Sequence, residues 1–153
     1  MKFIGIYSKN RYEWLVTDWA CVLFGLTSVP LYDTLGVQNL TFCLNQTEMT
    51  TVFVSAETAK VLLKLEDYGK LKTLVSFDAM TAEDKKEFEK RGLEVVQFIT
   101  LLKEGEGITE IDSHNITAQP NDCYTFSYTS GTTGPPKGAM LSHKNVLAFA
   151  RSM

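Results

Sequence analysis

The chain has 153 residues, enough for one compact core or for a share of a larger one, since domains most often run to roughly 100–150 residues. A hydrophobic fraction of 44% and a charged fraction of 22% exclude a disordered or low-complexity chain. Lys plus Arg number 15 against 18 Asp plus Glu, so the net charge is -3 without a basic stripe, which speaks against a nucleic-acid partner.

In chain order, Phe3-Ile4-Gly5-Ile6-Tyr7 reads as a buried strand, and Asn10 stands three residues before Glu13 as a capping box for a helix from about Arg11 to Phe24. Trp14, Leu15, Trp19, Val22 and Leu23 give that helix a broad apolar side on which Asp18 is the exception. Ser28 to Tyr32 reads as a strand, followed by a tight turn at Asp33-Thr34-Leu35-Gly36. A helix from Val37 to Asn45, a strand Thr51 to Val54 and a helix Ala56 to Tyr68 capped by Ser55 continue the alternation. Thr73 to Phe77 is strand-like, Thr81 caps a charged helix Ala82 to Arg91, Gly92 ends it, and Glu94 to Phe98 is the next strand. Strands alternating with helices predict an α/β fold with a mostly parallel sheet and flanking helices. The mixed charges of Glu83 to Arg91 read as a solvated face, and Lys103 to Asp122 as a surface connection.

The longest apolar run, Ala20 to Leu26, is far below the roughly 20 residues of a transmembrane helix, and the first residues are too polar for a signal peptide. Cys21, Cys43 and Cys123 are widely spaced and lack a CxxC or a His pair, so they are expected to be reduced, buried thiols, and no metal ligands are assigned. The sequons at Asn39, Asn45 and Asn115 read as accidental in a reducing compartment, and the location expected from this chain is cytoplasmic.

Cys123 to Tyr128 has the alternation of a strand and runs into Thr129-Ser130-Gly131-Thr132-Thr133-Gly134-Pro135-Pro136-Lys137-Gly138. Glycines let backbone N–H groups approach an anion, hydroxyls donate to its oxygens, and a lysine offsets polyphosphate charge. A Walker A loop is excluded, because Lys137 follows Pro136 and precedes Gly138 where that motif needs Gly-Lys followed by Ser or Thr. A polar hairpin or loop without a ligand is the alternative that composition leaves open. His143 invites a general-base role, but Ser142-His143-Lys144-Asn145 reads better as helix entry; His114 lies in the polar connection, and Asp33 in its turn.

The run Tyr128 to Ala139 resembles the signature phosphate loop of the adenylate-forming superfamily. Asn10-Arg11-Tyr12-Glu13-Trp14, Val29-Pro30-Leu31-Tyr32-Asp33-Thr34-Leu35-Gly36 and Gly138-Ala139-Met140-Leu141-Ser142-His143 resemble long-chain fatty-acyl-CoA synthetases in the same order. The resemblance implies that residues 1–153 are part of the large N-terminal domain of an adenylate-forming enzyme, with the C-terminal domain absent. It implies activation of a long-chain fatty acid by ATP to an acyl-adenylate and pyrophosphate, with coenzyme A then displacing AMP. By motif position, Thr129, Ser130, Gly131, Thr132, Thr133, Gly134, Lys137 and Gly138 are the expected nucleotide-binding residues, and Lys137 and Thr129 the expected catalytic ones. The Glu that would hold Mg2+ is expected downstream of this chain. The family also suggests peripheral association with the endoplasmic reticulum or other membranes.

Two alternatives stand beside that reading. One is a stand-alone nucleotide-binding or regulatory module without ligase activity, and the other an adenylate-forming ligase for another carboxylic acid. A sheet whose later strands are absent is expected to leave an unpaired edge and exposed apolar helix faces, with marginal stability as the consequence.

Overall fold

The computed structural model describes residues 1–108, 118–129 and 134–152. The elements are β1 (Phe3–Tyr7), α1 (Tyr12–Leu23), β2 (Thr27–Leu31), a 3-10 turn Asp33–Leu35, α2 (Gly36–Thr47), β3 (Thr51–Val54), α3 (Ala56–Leu62), β4 (Thr73–Ser76), α4 (Ala82–Lys90), β5 (Glu94–Gln97), α5 (Phe98–Gly105), β6 (Cys123–Thr129), β7 (Lys137–Ser142) and α6 (His143–Arg151). The strands form one sheet in the order β5-β4-β3-β1-β2-β6-β7. Every neighbouring pair is parallel except β6 with β7, so the mostly parallel α/β sheet with flanking helices is what the chain builds.

Alternation along the strands divides the sheet into two faces. On one, Tyr7, Val52, Val54 and Leu74 join Leu40, Cys43 and Leu44 of α2, Leu62 of α3 region packing and Phe88 of α4 in the main core. On the other, Ile4, Phe53 and Val75 lie under α1 and α5 around an apolar cavity of about 380 Å3. Burial pushes the Cys21 thiol up to about 12 and the Cys43 thiol up to about 11, in keeping with inert reduced sulfurs. Cys123 is half-buried.

Local signals account for most boundaries. The Ser55 hydroxyl accepts from the Thr58 amide while Thr58 reaches back to the Ser55 amide, and Thr81 accepts from the Asp84 amide, so both expected caps form. The Asn10 capping box does not form. Arg11 takes the cap position in extended backbone, and Glu13 bonds its guanidinium instead of a backbone amide, at 2.7 Å. The helix after Ser55 stops at Leu62 rather than Tyr68, where the Tyr68 hydroxyl turns back to donate to the Leu62 carbonyl. Phe98 opens α5 rather than closing β5, and α5 takes in the start of the expected connection.

The largest departure follows the glycine-rich loop. Lys137 to Ser142 form an edge strand antiparallel to β6, and only then does α6 begin. No helix among the described residues is long and apolar enough to cross a membrane.

Candidate functional site

The glycine-rich segment is the loop of the β6–β7 hairpin, and strand pairing brings its two ends together. Thr129 lies opposite Lys137 and Tyr128 opposite Gly138, and the Thr129 hydroxyl donates to the Lys137 carbonyl at 3.2 Å. Thr129 and Lys137, eight positions apart, therefore stand side by side where the two strands enter the glycine-rich segment. Lys137 is exposed and, among the described residues, makes no ion pair. Ser130, Gly131, Thr132 and Thr133 lie outside the described residues.

Gly134 has a φ of 108°, backbone that side chains other than hydrogen rarely permit, so glycine is required there by conformation. Gly138 is required for a different reason. It lies past the loop, in β7, and a Cβ there would run into the Phe126 ring. That ring stacks edge-on against Phe3 and Tyr128, so Gly138 serves the packing of β6.

A hairpin loop also differs electrostatically from a loop that opens directly into a helix. The N-terminal dipole that strengthens anion binding in strand–loop–helix motifs is not aimed at this loop, because β7 separates it from α6.

Gly134 and Pro136, with Tyr128 and Thr129 of β6, border a cavity of about 430 Å3 whose other wall is Tyr32, Thr34 and Leu35 of the β2–α2 connection and Asn39 of α2. Tyr128 is buried, and its hydroxyl donates to the Gln46 Oε1 of α2 at 2.7 Å. Burial first, and the Cys43 sulfur second, raise its phenol well above the usual range, so it is a fixed wall rather than a proton donor. By sequence Tyr32 closes a strand and Asp33 to Gly36 form a turn within a family-like segment; the segment's role as a cavity wall depends on β2 lying beside β6, a neighbour from far along the chain.

Tyr32 is also a wall of a second crevice of about 690 Å3, with Ser8, Lys9, Asn10, Trp14 and Asp33. Both open at the carboxyl ends of the parallel strands. That is the usual ligand side of such sheets, near the point where the connections reverse direction around β1. Next to it Arg11 bonds Asp78 at 2.8 Å and lies over the Phe77 ring, while Asp78 accepts from the Ala56 amide at 2.8 Å. Arg11 is thereby committed to tying α1, α3 and the β4–α4 connection together.

His143 is the first residue of α6, behind a capping box formed by Ser142 and Asn145. Its amide bonds the Asp122 carbonyl at 3.1 Å, and its ring meets Tyr124 edge-on. It lies six positions along the chain from Lys137, roughly 20 Å by the rise per residue of a strand, so it stands at the base of the hairpin and helix entry is its role. His114 lies outside the described residues, and Asp33 sits in the 3-10 turn. Among the described residues no three His, Cys, Asp or Glu gather as a metal site.

Residues 2–153 match the family model described as AMP-binding enzyme. Long-chain-fatty-acid–CoA ligase 1 of Cavia porcellus is 37% identical over 152 residues, which is 96% of this chain and 21% of that protein. Long chain acyl-CoA synthetase 5 of Arabidopsis thaliana is 38% identical over 148 residues, 95% of this chain and 22% of that one. The chain thus spans about a fifth of the length of these relatives. The structure of the A-PCP didomain of a carboxylic acid reductase from Segniliparus rugosus, in complex with AMP, superposes with a TM-score of 0.80 at 25% identity. The match covers 97% of this chain and 22% of that one.

Proposed function

Since the chain belongs to the AMP-binding enzyme family, we propose that residues 1–153 are part of the large N-terminal domain of a long-chain-fatty-acid–CoA ligase and supply its phosphate-handling loop. The observation that carries this reading is the pairing of Thr129 with Lys137 across the mouth of the hairpin loop, beside a cavity wide enough for a substrate. In the reaction, a fatty-acid carboxylate oxygen attacks the α-phosphorus of ATP, pyrophosphate leaves, and the coenzyme A thiol displaces AMP from the acyl-adenylate. Lys137 would offset the charge that grows on the departing pyrophosphate, and Thr129, Ser130, Thr132 and Thr133 would donate to its oxygens. Gly131 and Gly134 would let the loop amides approach the phosphates, with Gly138 keeping β7 under Phe126. No Mg2+ ligand is assigned among the described residues.

ATP affinity of a protein carrying the relatives' full length, with Lys137 or with Lys137→Ala, tests this. Loss of one charge-assisted contact predicts affinity weakened by about tenfold to a hundredfold, with the denaturation midpoint unchanged. Binding that is absent in the wild type, or indifferent to Lys137, would sink the reading. The likeness to a carboxylic acid reductase supports a second reading, activation of a different carboxylic acid. Adenylation rates across acids of differing chain length, in a protein carrying the relatives' full length, separate the two.

A further inference from the structure

Asp18 breaks the apolar side of α1 and is only 4% exposed. Its Oδ2 accepts the Tyr124 hydroxyl at 2.5 Å, a bond between residues 106 positions apart that joins α1 to β6. Tyr124 is raised well above the usual phenol range, by burial first and by Asp18 second, so the hydroxyl keeps its proton and donates.

Tyr124 is also where the hairpin is irregular. Cys123 pairs with Ser142 and Thr125 with the very next residue, Leu141, which leaves Tyr124 as the extra residue of a β-bulge. The consequence is a change of face. Tyr128 and Phe126 turn toward α2 and Phe3, whereas Tyr124 turns toward α1. The parallel ladder from β2 to β6 has one residue pair in register, Ser28 with Thr125, supplemented by side chains: Thr27 donates to the Cys123 carbonyl at 2.9 Å and Thr125 to the Ser28 carbonyl at 3.1 Å. A strand held this way is open to slippage, and a slip of one residue would move every side chain to the opposite face.

We propose that Asp18 and Tyr124 are positioning residues whose hydrogen bond fixes the bulge at the start of β6, and with it the register that sets Thr129 opposite Lys137 at the phosphate loop. This deepens the nucleotide-binding reading and rests on it for the identity of the ligand. An apolar pair of similar volume would fill the same space and often gives equal or greater stability. It would not select one register, because apolar contacts are not directional.

That difference supplies the test. In the double variant Asp18→Leu with Tyr124→Phe, made in a protein carrying the relatives' full length, the denaturation midpoint should hold or rise. Amide hydrogen exchange in 125–129 and 137–141 should quicken by about tenfold, the scale of one such bond, while β1 and β3 stay protected. ATP affinity should weaken by a like factor, and Asp18→Asn, which still accepts the phenol, should restore both. Unchanged hairpin exchange would overturn the proposal. So would a midpoint, hairpin exchange and exchange across β1 and β3 that all shift together, since that marks a merely structural pair. If the double variant does not fold, Tyr124→Phe against Asp18→Asn gives the same contrast, and equal exchange in those two would overturn it. Absence of ATP binding in the wild type would defeat the nucleotide reading alone, with hairpin exchange still deciding the positioning role.

Discussion

Val52, Val54 and Leu74, in the half of the sheet running from β5 to β2, are fully buried, whereas every residue of β7 from Lys137 to Leu141 is exposed and α6 buries none of its residues. The two halves are held by different forces. β1 to β5 are fixed by nondirectional apolar burial beneath α2, α3 and α4. The β6–β7 hairpin contributes little to that core beyond Tyr128 and Phe126, and hangs on individual hydrogen bonds from Thr27, Thr125, Tyr124 and Tyr128. Burial sets where an element lies; directional bonds set its register. The half that carries the glycine-rich loop is the one built on register.

The largest expected effect lies in the first half. Leu44→Ala should cost about 2–5 kcal/mol by urea denaturation, as buried leucines do, whereas Leu147→Ala, on exposed α6, should stay within about 0.5 kcal/mol. Equal costs would break the division between the halves. Gly138→Ala comes next. The Phe126 ring must shift to admit a methyl group, an overpacking penalty of about 1–3 kcal/mol that should show as faster exchange in β6 and β7. A stable variant with an undisturbed hairpin would mean that the Phe126 contact is not what demands glycine.

The smallest effect separates an ion-pair latch from both. Arg11 holds the Glu13 carboxyl below its ordinary value of 4.5. A carboxyl whose folded value is depressed adds stability above its unfolded value and loses it as pH falls through the folded one. Stability should therefore fall as pH drops below about 4.5, and Glu13→Gln should flatten part of that fall. The contribution is about 1 kcal/mol or less for a partly exposed pair. An identical acid slope in the variant would count against the latch.

The same division explains what the sequence could disclose. β1, α1, β2, β3, β4 and β5 were legible because burial imposes a period on each segment, and Ser55 and Thr81 were legible as caps because a cap acts within three residues. β7 was not, since exposure along Lys137 to Leu141 removes the alternation that marks a strand. α5 was hidden because no glycine, proline or side-chain cap stands between β5 and Phe98 to mark a new element. At the site, the loop announced itself through its own residues. The opposing wall at Tyr32 and Asn39, and the partner of Asp18, did not, because those depend on strands brought together from opposite ends of the chain. Asp18 looked like a flaw in a helix until its partner appeared.

One consequence of the sheet order concerns how force reaches the loop. Among the described residues β7 pairs with β6 and β6 with β2, and the bonds of Tyr124 to α1 and Tyr128 to α2 brace the hairpin on either face. A push on the hairpin therefore enters the parallel strands through β2 and the helices α1 and α2 together.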